Sequence, residues 1–68
     1  MIRESYVSEY DAKNRVYEML DDELWFEEGS MSCDSMPCPS ELDNWSGEVG
    51  GFYVYKDNEL FAKIAYWE

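Results

Sequence analysis

Ala12, Val16, Met19 and Leu20 recur at the three- and four-residue intervals of one helical face. Ser8 stands before them as an N-cap, with Asp11 three positions on, close to a capping box. Glu9 and Asp11 suit the positive end of a helix dipole. The pattern predicts a helix from Ser8 to near Asp22. At about 100° per residue, Asp11, Glu18 and Asp22 fall opposite the apolar stripe with Asp21 beside them, while Glu23 turns back toward it. Leu24-Trp25-Phe26-Glu27-Glu28 reads equally as a last turn or a short strand, closed by Gly29.

A period of two replaces this spacing in the last third. Phe52-Tyr53-Val54-Tyr55 is aromatic and β-branched, and residues 60–67 alternate, with Leu60, Ala62, Ile64 and Tyr66 on one face and Phe61, Lys63, Ala65 and Trp67 on the other. Asp57-Asn58 between the two runs tolerates positive φ, which predicts a β-hairpin. Gly50-Gly51 is expected to turn the chain from a further strand through Trp45 to Val49, and Ile2 to Val7 to add an edge strand. Residues 29–44, with Gly29, four serines, two prolines and two cysteines, lack periodicity and read as loop, apart from one helical turn at Ser40-Glu41-Leu42 after Pro39. The expected fold is a single α+β domain over residues 1–68: one N-terminal helix packed on an antiparallel sheet of three to four strands, ending in a C-terminal hairpin.

Composition supports a folded chain near the lower size limit for one core. Of its 68 residues 46% are hydrophobic and 18% aromatic, unlike an acidic disordered tail. No apolar run approaches the ~20 residues of a membrane span. The N-terminus carries no signal-peptide pattern, so the expected location is the cytoplasm. There, Cys33 and Cys38 are expected as free thiols. Without histidine they make only half a zinc site, and their spacing is not that of a redox Cys-x-x-Cys.

Charge changes the picture most. Sixteen acids face five bases, for a net −11. Residues 1–15 sum to zero and 56–68 to −1, whereas 16–55 hold ten acids and no lysine or arginine. Ordinary acidic helices intersperse cations to relieve like-charge pairs of a few tenths of a kcal/mol. Here Glu18/Asp22 and Glu23/Glu27 are unrelieved like pairs. Missing histidine removes the usual general base and commonest metal ligand. No phosphate loop, nucleophile arrangement or EF-hand pattern is present, so neither enzyme activity nor a cofactor or metal is expected. Direct nucleic-acid and membrane binding are disfavoured, because a surface this acidic repels polyanions.

The same charge can stand in for DNA. Helix carboxylates at i and i+4, such as Glu18 and Asp22, lie roughly 5–6 Å apart at Cβ, comparable to successive phosphates. Asp11 continues that line. Asp21, Glu27, Glu28, Asp34, Glu41, Asp43 and Glu48 add a second one from the loop and adjoining strands, and Glu23 belongs to the same expected contact set. In size, lopsided charge and aromatic density the chain resembles the small acidic phage-type proteins that act as DNA mimics, notably anti-CRISPR and anti-restriction inhibitors. The resemblance is compositional and covers the whole chain. It implies a stoichiometric inhibitor on the DNA-binding surface of a basic partner, a CRISPR effector or restriction enzyme in a bacterial host cell. The alternative is an acidic adaptor or antitoxin-like module anchored by exposed aromatics such as Trp25, Trp45 or Trp67.

Overall fold

The computed structural model describes residues 1–67. Its elements are β1 (Ile2–Tyr6), α1 (Glu9–Met19), β2 (Leu24–Ser32), a 3-10 turn (Cys33–Ser35), β3 (Glu48–Lys56) and β4 (Glu59–Tyr66). The four strands form one sheet in the order β1-β4-β3-β2. The fold is α+β, as the sequence predicts, but the sheet is mixed: β2–β3 and β3–β4 are antiparallel, whereas β1 runs parallel to β4. The cause is the route of the chain. Helix α1 carries it from one edge of the sheet to the other, so β2 runs in the direction of β1, and two reversals then bring β4 back to it.

The helix starts where expected. Ser8 is extended, and its Oγ accepts from the Asp11 amide at 3.2 Å. It ends earlier than expected, at Met19, with Leu20 in an extended C-cap. Asp21 drives the break: its Oδ1 accepts from the Glu23 amide at 2.8 Å and its carbonyl from the Leu24 amide at 3.2 Å. This local turn competes with helix propagation. Residues 24–28 are then strand, and β2 runs through Gly29 to Ser32 instead of closing there.

One face of the sheet packs against α1. Ala12 and Val16 meet Phe52, Val54, Ala62, Ile64 and Tyr66, with Ile2, Tyr6, Leu24 and Phe26 around them. Phe52 lies between Phe26, edge-on at 5.8 Å, and Tyr66 at 5.5 Å. Burying such a side chain contributes about 1.5–3 kcal/mol. Glu4 ties β1 to the helix: it accepts from Arg15 Nε at 2.8 Å, Arg15 Nη2 at 3.2 Å and the Tyr6 hydroxyl at 2.7 Å. These donors, Arg15 foremost, hold its carboxyl below the usual range. Burial, with the Glu4 bond behind it, pushes the Tyr6 hydroxyl up to about 12.

A second, smaller core lies on the opposite face. Met31, Cys33, Met36, Val49 and Ala65 cluster there, with Trp45, Tyr53 and Trp67 packed around them. Trp45 Nε1 donates to the carbonyls of Cys33 (3.2 Å) and Met36 (3.3 Å), so the segment after β2 is folded back onto the sheet. Cys33 is buried here and Cys38 exposed, both as free thiols. Burial pushes the Cys33 thiol up. Residues 40–41 form a turn closed by the Leu42 amide donating to the Pro39 carbonyl at 3.1 Å.

Two expectations about the last strands change. Gly50 and Gly51 do not turn the chain; they lie inside β3, and no strand spans Trp45 to Val49. Their missing side chains admit neighbours instead. A Cβ on Gly50 would strike the Tyr66 ring, and one on Gly51 would meet the Met31 sulfur at 2.7 Å. The hairpin turns at Asp57 (φ 57°) as expected. An irregularity between Val54 and Tyr55 sets Leu60 opposite Tyr55, while Phe61 packs against the helix-side core. The predicted alternation therefore holds from Ala62 onward and is shifted before it.

Candidate functional site

Each of the eleven predicted contact carboxylates is exposed: Asp11, Glu18, Asp21, Asp22, Glu23, Glu27, Glu28, Asp34, Glu41, Asp43 and Glu48. They do not form the predicted helical line. Because α1 stops at Met19, Asp22 is not one turn on from Glu18, and Glu23 and Glu27 are not a helical pair. Instead Asp21, Asp22, Glu23, Glu27 and Glu28 line the turn into β2 and β2 itself, the outer edge of the sheet, and the other acids lie on α1, β3 and the segment after β2.

Asp21, Asp22 and Glu23 occupy the turn leading into β2. Strand alternation then splits the pair beside them. Glu28 lies on the helix side with Phe26, and Glu27 on the opposite side with Trp25. Glu48 starts β3 opposite Ser32, on the helix side. Asp34, Glu41 and Asp43 sit on the segment folded over the second core. Asp11 and Glu18, seven residues apart and hence on one helix face, complete the helix side.

Little inside the fold neutralises this rim. Among the described residues there are two ion pairs, Glu4–Arg15 and Glu23–Lys56, the latter at 3.5 Å. Lys56 lies one residue past the cation-free stretch, and sequence spacing gives no sign that it returns to Glu23; the β2–β3 register, Leu24 opposite Lys56, brings it there. Both side chains are more than half exposed, so the pair is worth at most about 1 kcal/mol. Glu27 accepts from the Tyr55 hydroxyl at 3.1 Å and Glu41 from Ser40 at 2.8 Å. Of the remaining acids, Glu18 feels the charge of Arg15 at a distance, and none forms an ion pair among the described residues.

The face opposite α1 holds a different chemistry, one the charge pattern concealed. The segment 33–47 covers only the end bearing Met31 and Val49. Trp25 lies on the uncovered part, 47% exposed, stacked on Tyr55 at 4.4 Å and 19°, with Nε1 donating to the Asp57 carbonyl at 3.0 Å. The Tyr55 hydroxyl is held up by desolvation and by its bond to Glu27. Tyr53 lies over Gly29 and donates to the Ser30 carbonyl at 2.6 Å. Lys63 stands 6.0 Å from the Tyr53 ring, and Arg3 is its neighbour across the β1–β4 pairing. By contrast Trp45 and Trp67 are half-buried and packed at 5.5 Å, so of the three tryptophans only Trp25 is presented to solvent.

Among the described residues, no three cysteine or carboxylate side chains converge as metal ligands would, and no helix is long and apolar enough to cross a membrane. No known protein family, curated protein or solved structure matches the chain.

Proposed function

We propose that this chain is a DNA-mimicking inhibitor that occupies the basic DNA-binding surface of a nucleic-acid-binding complex, most simply a CRISPR effector or restriction enzyme in the cytoplasm of a bacterial host. One observation carries the reading: all eleven carboxylates of the rim are exposed, and among the described residues a single surface lysine forms an ion pair with any of them. A partner whose lysines and arginines normally meet phosphates would be drawn to this rim by long-range attraction. The uninterrupted acidic stretch costs the fold self-repulsion, and a ligand-like role for the field accounts for its retention.

Capture from a bacterial lysate, with and without excess duplex DNA, tests this. A DNA-binding protein retained on the chain and released by duplex is the expected result. Release should also follow from salt, through screening over a Debye length of ~8–10 Å, and from the combined exposed substitutions Glu18→Lys, Asp22→Lys and Glu28→Lys. Capture that survives both duplex and the triple variant overturns the reading. The adaptor alternative rests on Trp25, the exposed tryptophan. It predicts a complex insensitive to duplex and salt but lost in Trp25→Ala.

A further inference from the structure

The uncovered half of the sheet is complementary to itself. The strand pairings Arg3↔Lys63, Lys63↔Tyr53 and Tyr53↔Glu27 place those four side chains in one row across β1, β4, β3 and β2, all on the face away from α1. The row reads cation, cation, aromatic ring, anion. Next to it, Leu60, Tyr55 and Trp25 form an apolar row, which the exposed Met1 adjoins at the β1 edge. Arg3 and Lys63 are directly opposite each other, an arrangement that destabilises neighbouring strands unless something relieves it. Neither has a carboxylate partner among the described residues.

We propose that a second copy of this chain seats on this face, in a two-fold symmetric dimer whose axis runs parallel to the strands between β3 and β4. A rotation about that axis reverses the order of each row. Arg3 then meets the partner's Glu27, and Lys63 meets the face of the partner's Tyr53. In the apolar row Tyr55 meets the partner's Leu60, and Trp25 meets the partner's Met1. Strand directions coincide in the two copies, which is the aligned mode of sheet packing at ~10 Å separation. The contact is isologous, the commonest symmetry of soluble oligomers.

Charge selects this face. Arg3, Lys63 and Glu27 give its central row a net positive sign, whereas the surface of residues 16–55, with ten acids and no lysine or arginine, would set acid against acid. The stacked, hydrogen-bonded Trp25 is a preorganised anchor, which lowers the ordering cost of association. Half of one sheet face falls short of the ~800 Å² per partner of a standard interface, so the dimer is weak, in the micromolar range. The proposal does not depend on the inhibitor role, since it concerns the purified chain alone.

Sedimentation equilibrium from about 10 to 500 µM tests it, a range chosen to bracket an interface below standard size. The wild-type chain of 8.1 kDa should move toward twice that mass as concentration rises. Arg3→Glu and Glu27→Arg should each raise the dissociation constant by at least ~10-fold, because each change places like charges opposite one another twice per dimer. The double variant keeps the wild-type net charge and should return to within ~3-fold, since the row is complementary again with its signs exchanged. Trp25→Ala should be monomeric with its thermal transition retained. A wild-type monomer across the whole range overturns the proposal. So does a dimer indifferent to the two reversals, or a double variant as weak as the singles.

Discussion

Tyr66 lies across Gly50 in the β3–β4 pairing, and the two atoms of its ring nearest a Cβ built at Gly50 would be in hard overlap, with Cε1 at 2.6 Å. The ring is 7% exposed and packed on Phe52 at 5.5 Å, so it has no free rotamer to move into. Gly50→Ala therefore forces either the ring or the backbone of β3 to shift, an overpacking cost of about 1–3 kcal/mol. The lower chain entropy of alanine in the unfolded state offsets this by about 0.4–1 kcal/mol. A net loss of about 1.3 kcal/mol follows, a drop in Tm of roughly 5–10 °C for a domain of this size. Gly29 supplies the internal control. Its Cβ would meet the Tyr53 ring at 2.8 Å, but that ring is half-buried at the surface and can lift, giving up one hydrogen bond to the Ser30 carbonyl. Gly29→Ala loses about 1 kcal/mol with that bond, and the same unfolded-state gain offsets most of it, leaving a net cost of a few tenths of a kcal/mol. Urea unfolding monitored by tryptophan fluorescence, with equal m-values required across the set, measures both. Gly50→Ala within 0.5 kcal/mol of wild type, or less harmful than Gly29→Ala, would refute the account of why β3 carries adjacent glycines.

Two further outcomes are expected. Because Arg15 lowers the folded pKa of Glu4, this pair contributes stability above the unfolded value, near 4.5, that is lost as pH falls through the folded value. Both side chains are about one-third exposed, so the contribution is below ~1 kcal/mol, and Arg15→Met should flatten acid unfolding curves below pH 5 by that amount; an unchanged acid limb refutes it. Cys38 should react with a thiol reagent at once, whereas the buried Cys33 should react only as fast as the second core opens. Equal labelling rates measured by mass spectrometry would contradict the packing of residues 33–36.

What the sequence revealed depended on whether a signal was local. The Ser8 cap, the hairpin at Asp57-Asn58 and the β1 edge strand are written in adjacent residues, and each stands where it was expected. The helix end falls near Asp22 in the sequence because nothing in the apolar stripe stops it before Glu23 turns back toward that face, and the four-residue spacing of Leu20 and Leu24 adds no stop either. In the structure they serve different elements, Leu20 capping α1 and Leu24 opening β2. Beyond Phe26, β2 is hidden by its position. An edge strand with Glu27, Glu28, Ser30 and Ser32 facing water shows almost no alternation. The second core is similarly invisible, since Cys33, Met36, Val49 and Ala65 are brought together only by pairing distant strands. The acidic rim was legible residue by residue, while its arrangement followed from where α1 stops.

The parallel pairing of β1 with β4 has a kinetic side. Ile2 finds its neighbour at Ala62, so the first strand has nothing to pair with until the last is in place. The β3–β4 hairpin closes over a short distance and can form early, β2–β3 must close over the intervening residues 33–47, and docking β1 closes a loop of some sixty residues with a correspondingly larger entropy. Until that step β4 is itself an edge, presenting Ala62, Ile64 and the backbone of a strand rich in apolar groups. The heavy like charge on the middle of the chain then acts on the unfinished molecule as well as the finished one, holding copies apart while that edge is open.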